Sequence, residues 1–150
     1  MGKILRSPHL VAATAAVLFV LVFGAGNAFS QVVPAMMDVK PGSCVNPLNV
    51  KSRGVLPVAI LGTDDFDVTS IDPASILLQD SVMPLRTAAE DDASAIDCND
   101  QNGDGLLDLL LKFDSQETIA ALGQINDGDV IILSLGGSLL DGSEFAGQDT

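Results

Sequence analysis

The chain has 150 residues, the length of a single domain, and it is strongly acidic. Twenty Asp and Glu residues stand against seven Lys and Arg residues, which gives a formal net charge of −13. Such a charge repels phosphate backbones and anionic lipid headgroups, so it argues against nucleic acid and an anionic membrane surface as partners. The negative charge instead favours a cation as the binding partner.

The first 30 residues have the pattern of a secretion signal. Lys3 and Arg6 give a positive start, and 16 apolar and small residues follow from Leu10 to Ala25. This run is shorter than the roughly 20 residues of a membrane span, and Ala28 and Ser30 offer small side chains at the −3 and −1 positions of a cleavage site. We therefore expect residues 1–30 to be a cleaved signal peptide, with an uncleaved membrane anchor as the alternative. Either way the domain at residues 31–150 is extracellular, periplasmic or at the cell surface.

The exported part retains five basic and all twenty acidic residues, a formal charge of −15. It also contains the two cysteines of the chain, Cys44 and Cys98. Disulfides persist outside the cytoplasm, so we predict a Cys44–Cys98 bridge, with two free thiols as the alternative. In the chain-entropy model a loop of that length would stabilise the fold by roughly 4 kcal/mol.

Missing residue types argue against catalysis. Trp and Tyr are absent, and the single histidine, His9, lies in the signal segment. Activation of a Ser or Cys nucleophile uses an imidazole base, and catalytic zinc sites nearly always use histidine. A carboxylate pair for glycoside hydrolysis stays formally open, but no spacing favours it. We therefore expect that the protein is not an enzyme.

The first half of the exported chain reads as short strands between turns. Pro34, Pro41 and Gly42 indicate an extended lead-in over residues 32–46. The apolar run at 55–61 predicts a buried strand, and Pro57 within it indicates an edge position or a bulge. Residues 75–79 predict a second strand. Residues 86–95, rich in alanine and acids, predict a loop or a poor helix.

The second half contains one helix signal. Asp114 and Glu117 have the spacing of a capping box and Gly123 that of a helix stop, which predicts a helix over 115–122 and hence a strand over 107–113. The clearest strand is predicted at 130–135, ended by Gly136 and Gly137, with a hairpin turn at 141–142. The whole pattern predicts a mainly β, sandwich-like (immunoglobulin-like) domain with one short helix, after an N-terminal signal peptide.

The segment from residue 100 to residue 108 spells D-x-N-x-D-G-x-x-D. Oxygen-bearing side chains at alternating positions converge on one hard cation, and the glycine permits a sharp turn. The sequence therefore predicts a Ca²⁺ site in a calcium-binding β domain at 31–150, with magnesium second and a metal-free acidic turn as the alternative. The predicted ligands are the side chains of Asp100, Asn102 and Asp104, the carbonyl of Leu106, and Asp108 directly or through water.

This loop differs from an EF-hand. Position 12 of an EF-hand carries a bidentate acid, whereas Leu111 stands there, and the following segment is predicted to be a strand. The loop is similar to the calcium loops of integrin-type propeller repeats and in part to those of dockerins. A propeller needs several blades and a dockerin two loops, so the likeness implies the ligand pattern alone.

A wider resemblance rests on KPGS…NPLN within residues 38–49, GVLPVAILG at 54–62 and the acidic loop with the leucine after it. Together they resemble a domain that recurs in secreted bacterial and archaeal proteins, alone or attached to larger surface proteins. The match spans residues 38–147 and implies no established activity. Such domains usually continue into a further strand, so the resemblance also implies an open sheet edge near the end of this chain.

We therefore expect a secreted calcium-binding structural module for adhesion or assembly, in which calcium stabilises the fold. Its expected partners are the calcium ion and a cell-surface protein or polysaccharide, with membrane contact only if the signal is uncleaved. The alternative is a carbohydrate- or polymer-binding accessory module of an extracellular hydrolytic system.

Overall fold

The computed structural model describes residues 31–43, 45–90 and 105–150, which form two β-sheets and one α-helix. The predicted signal peptide and both cysteines of the predicted disulfide lie outside the described residues. Within the described ranges, no helix has the length and apolar character needed to cross a membrane.

Each sheet has four strands. The first has the order β1-β8-β7-β4 and the second the order β2-β3-β6-β5; pairing is antiparallel except between β1 and β8. The arrangement confirms the expected mainly β, sandwich-like domain with one short helix. The elements are β1 (Val33–Pro34), β2 (Met36–Val39), β3 (Val55–Leu61), β4 (Leu77–Leu78), β5 (Arg86–Glu90), β6 (Asp108–Asp114), α1 (Ser115–Leu122), β7 (Leu133–Ser138) and β8 (Glu144–Asp149).

The core is organised around the β3–β6 pair. Three cross-strand pairs face the first sheet and belong to one buried cluster, which also includes Leu78 and Phe145 from that sheet. Directly opposed side chains on one face are the unit of sheet stabilisation. The opposite face of β3 is also buried, at Ala59 and Leu61, which explains a continuous apolar run instead of alternation. The three pairs are Leu56 with Phe113, Val58 with Leu111, and Ile60 with Leu109.

Several local predictions are confirmed. Strand β3 and helix α1 have the predicted bounds, β4 lies within 75–79, and β6 is displaced by one residue. Asp114 caps the helix by accepting hydrogen bonds from the amides of Gln116 and Glu117, at 2.8 and 3.0 Å. The turn between β7 and β8 contains Gly142 at φ 89°, as expected for a hairpin turn at this position.

The expectation of an edge position or a bulge at Pro57 is wrong, because β3 lies between β2 and β6 and pairs with β6 in continuous register through Pro57. The Pro57 carbonyl accepts a hydrogen bond from the Lys40 amide at 2.9 Å, so this residue faces the β2 side. A residue in an antiparallel strand points its N–H and C=O the same way. The missing N–H of Pro57 therefore faces Lys40, beyond the end of β2, and costs no ladder bond to β6.

Two further predictions are corrected by pairing between distant segments. Residues 86–90 are not a loop or poor helix but strand β5, which pairs with β6 from Arg86 opposite Lys112 to Glu90 opposite Asp108. Their alanine-rich sequence has low strand propensity, which pairing along β6 overrides. Residues 91–95, the rest of that prediction, lie outside the described part.

Strand β7 begins at Leu133, so the predicted strand is wrong for residues 130–132, where Val130 is 83% exposed. It also continues through the two glycines that were expected to end it, because β8 pairs with it as far as Ser138. A Cβ at Gly137 would lie 2.9 Å from the Phe145 ring. This glycine therefore allows close packing and does not mark a turn.

The start and the end of the described chain meet where the two sheets join. Strand β8 lies between β7 and β1 in the first sheet. After β1 the chain crosses into the second sheet, where it forms β2. The Val39 amide donates to Asp149 Oδ2 at 2.8 Å, and Asn46 Nδ2 donates to the same oxygen at 3.4 Å. Asp38 lies beside this group and is 8% exposed. Burial, and secondarily the Asp149 charge, raise the pKa of Asp38 to about 6.

We expect Asp38→Asn to stabilise the protein at neutral pH. The pKa of Asp38 rises from its ordinary value of 3.8 to about 6 in the folded state, so the folded protein keeps the proton longer and loses stability as the pH rises from 3.8 through about 6. After screening by solvent, the cost of ionising Asp38 is on the order of 1–2 kcal/mol. Urea unfolding at a series of pH values should show the variant more stable than wild type above about pH 7, by a smaller margin near about pH 5, and equal to wild type only below pH 3.8.

Asp65→Asn, in an exposed turn, is the matched control and should keep the wild-type pH dependence. An Asp38→Asn variant that is no more stable than wild type at neutral pH contradicts the assignment.

Candidate metal-binding loop

The predicted calcium loop ends where β6 begins, and the structure describes its second part. Asp100, Asn102 and Asp104 lie outside the described residues. Of the predicted ligands, Leu106 is half-buried and Asp108 is buried. The structure therefore describes only the exit of the loop, residues 105–108, which leads into β6.

Gly105 has the backbone conformation that the sequence pattern requires. Its φ is +86°, a value that side-chain-bearing residues rarely adopt, and an added Cβ would meet nothing within 4 Å. Glycine is needed here for conformation and not for space. The loop therefore contains the sharp turn expected between its acidic first half and its exit.

Asp108 is a buried carboxylate at the first position of β6. It is 1% exposed and pairs in register with Glu90 of β5. Its Oδ1 accepts a hydrogen bond of 2.8 Å from the amide of Gly62, the residue that follows β3. A buried carboxylate is costly unless hydrogen bonds or a cation compensate its charge. The hydrogen bond from Gly62 supplies part of that compensation and orients the Asp108 side chain where the end of β3 meets the start of β6.

The residues described at the loop exit fit a calcium loop that leads into a strand. Calcium takes carboxylate and carbonyl oxygens in a flexible geometry, which are the donors that Asp108 and Leu106 offer. The segment after Asp108 is strand β6 and not a helix, in agreement with the distinction from an EF-hand.

Acidic residues elsewhere organise turns. In the turn at 63–67 and the β7–β8 turn, an aspartate accepts hydrogen bonds from the amide and the hydroxyl of the residue two positions later. Bonds from Thr69 lower the pKa of Asp67, and bonds from Ser143 lower that of Asp141. Asp91, Asp92 and Asp97 lie outside the described residues, and the described ones contain no group of three or more His, Cys, Asp or Glu able to hold a metal.

Two features had no recognisable sequence signal as sites. One is the contact of Gly62 with Asp108, because the glycine reads simply as the end of an apolar run. The other is a cleft of about 720 Å³ between residues 45–50 and 125–131, with aliphatic side chains such as Val45 and Val130 and the acidic Asp127 and Asp129 in its lining. Its walls come from segments about 80 residues apart, so only the folded chain shows it.

No protein-family model, curated protein or solved structure matches this chain. The resemblance to a recurring domain of secreted bacterial and archaeal proteins therefore stays a prediction. A functional assignment has to rest on the site itself.

We expect Asp108→Ala to destabilise the protein even when a chelator removes calcium. The variant leaves the buried Gly62 amide without its carboxylate acceptor, which should lower the free energy of unfolding by about 1–3 kcal/mol. Urea unfolding in EDTA measures this structural contribution apart from any metal. Asp65→Ala, in the exposed turn, should change it by less than about 0.5 kcal/mol. Equal stability of the two variants would show that the hydrogen bond contributes nothing.

Proposed function

We propose that the protein is an exported, calcium-stabilised β-sandwich module that acts in structure, adhesion or assembly at the cell surface and performs no catalysis. The observation that carries the proposal is that the acidic loop leads directly into β6, with Asp108 buried at the first position of that strand. Export is inferred from residues 1–30. The proposed ligands are Asp100, Asn102, Asp104, the carbonyl of Leu106, and Asp108.

Calcium bound at this place would stabilise the core because β6 is a central strand. Leu109, Leu111 and Phe113 of β6 all belong to the main buried cluster. A cation that orders the loop would therefore fix the start of a strand that contributes three side chains to that cluster. Extracellular calcium sites often bind at about 0.1–1 mM, so millimolar calcium would add on the order of 1 kcal/mol.

The surroundings of the loop support a structural role over a switch. Sensor EF-hands respond to calcium by rotating a helix, whereas β6 is hydrogen-bonded to β3 on one side and to β5 on the other. Reorienting β6 would break both ladders. Calcium would therefore hold one conformation in place.

The rival function is a carbohydrate- or polymer-binding accessory module, and the cleft between 45–50 and 125–131 is the observation that favours it. Sugar-binding surfaces usually present aromatic rings for stacking. The described aromatic side chains, Phe66, Phe113 and Phe145, are all buried in the core, and the lining of the cleft contains none of them. The first proposal is therefore better supported. A glycan array separates the two: binding to no glycan would favour the first proposal, and binding to a defined glycan would favour the rival.

We expect calcium to raise the melting temperature of the purified protein. A gain of about 1 kcal/mol should shift it by about 3–5 °C between excess EDTA and about 5 mM calcium. Differential scanning calorimetry or fluorimetry measures the shift, and magnesium at the same concentration should give a smaller one. An unchanged melting temperature would rule out the proposed calcium site.

Asp104→Ala and Asp65→Ala form the matched pair for this measurement. Removing Asp104 takes away a proposed ligand and should abolish the calcium-induced shift, whereas Asp65 lies in an exposed turn and its removal should preserve it. A shift that survives Asp104→Ala would place the calcium elsewhere.

A further inference from the structure

We propose that Gly62 is a positioning residue for the calcium loop: its backbone holds the exit of the loop and the Asp108 carboxylate where a cation can use them. This inference rests on the proposed function and adds to it a residue that lies 38 positions before the first proposed ligand. Two independent observations support it.

The first observation is the hydrogen bond between Gly62 and Asp108. The amide of Gly62 donates to Asp108 Oδ1 at 2.8 Å, between two buried residues 46 positions apart. A bond from a backbone N–H to a carboxylate is charge-assisted and directional. It fixes the plane of the carboxylate before any cation arrives, which lowers the cost of ordering the ligand on binding.

The second observation is the close packing of the loop exit against Gly62. A Cβ added to Gly62 would lie 2.2 Å from the Leu107 carbonyl oxygen and 3.5 Å from Leu106 Cβ. The nearest atom belongs to the backbone and cannot rotate away as a side chain can. Gly62 is not among the glycines with positive φ, so glycine is required here for space and not for conformation.

Any side chain at Gly62 must therefore displace residues 106–108. This segment contains two of the five proposed ligands, the carbonyl of Leu106 and the carboxylate of Asp108. Groups that orient metal ligands without touching the metal typically affect affinity by about 10–100-fold. We assign an effect of this size to the contact at Gly62.

The test compares Gly62→Ala with Gly123→Ala in the full protein. Gly123 ends helix α1 at φ 75°, so alanine is strained there as well, but this site follows the opposite end of β6 from Asp108. Titration calorimetry with calcium chloride should show Gly62→Ala binding about 10–100-fold more weakly than wild type. Gly123→Ala should bind within about twofold of wild type while melting at a lower temperature in EDTA.

A purely structural role for Gly62 would lower stability in both variants and leave both calcium affinities unchanged. That result overturns the inference while the proposed function stands. A wild-type protein that binds no calcium overturns the proposed function and the inference with it.

If Gly62→Ala does not fold, the wild-type protein decides the question by nuclear magnetic resonance. The Gly62 amide resonance should shift as calcium is added and saturate with the binding curve, because its acceptor is a proposed ligand. The Gly123 amide should stay in place. A Gly62 resonance that is unmoved at saturating calcium overturns the inference.

Discussion

The pairing of β3 with β6 is the interaction on which the rest of the structure depends. These two strands supply three opposed pairs of core side chains, and each has a further strand on its other side. Both ends of β6 are fixed by aspartates: Asp108 binds the Gly62 amide where the strand begins, and Asp114 caps α1 where it ends. The acidic loop, the helix and the core therefore share one strand. A change at either end of β6 acts on the packing between the sheets.

The high acidity of the chain serves several purposes. Asp67, Asp72, Asp114 and Asp141 each accept a hydrogen bond from the amide two residues later, at the start of a helix or in a turn. These carboxylates act on the local backbone. The proposed calcium loop differs from them because it combines alternating oxygen donors with a glycine at positive φ and a buried aspartate at its exit. The charge of an aspartate alone therefore does not distinguish a metal ligand from a residue that caps a helix or a turn.

Local signals predicted the elements that local contacts determine. The apolar run of β3, the cap at Asp114 and the hairpin glycine depend on neighbouring residues, and the structure confirms them. Strand β5 and the start of β7 depend on partners distant in the chain, and a single sequence does not show pairing. The candidate site divides in the same way. Its predicted ligand pattern is readable from spacing, whereas the Gly62 contact becomes visible only when the end of β3 lies beside the start of β6.

The balance of charges gives a physical reason for a cation in this domain. Residues 31–150 have a formal charge of −15, and self-repulsion of that size works against a compact state. At the junction of the sheets, the Asp149 charge also contributes to the raised pKa of Asp38, so ionisation at neutral pH opposes the contact between the ends of the domain. A bound divalent cation would remove two charges at the entrance of the central strand. Calcium stabilisation therefore suits a fold whose acidic surface would otherwise reduce its stability.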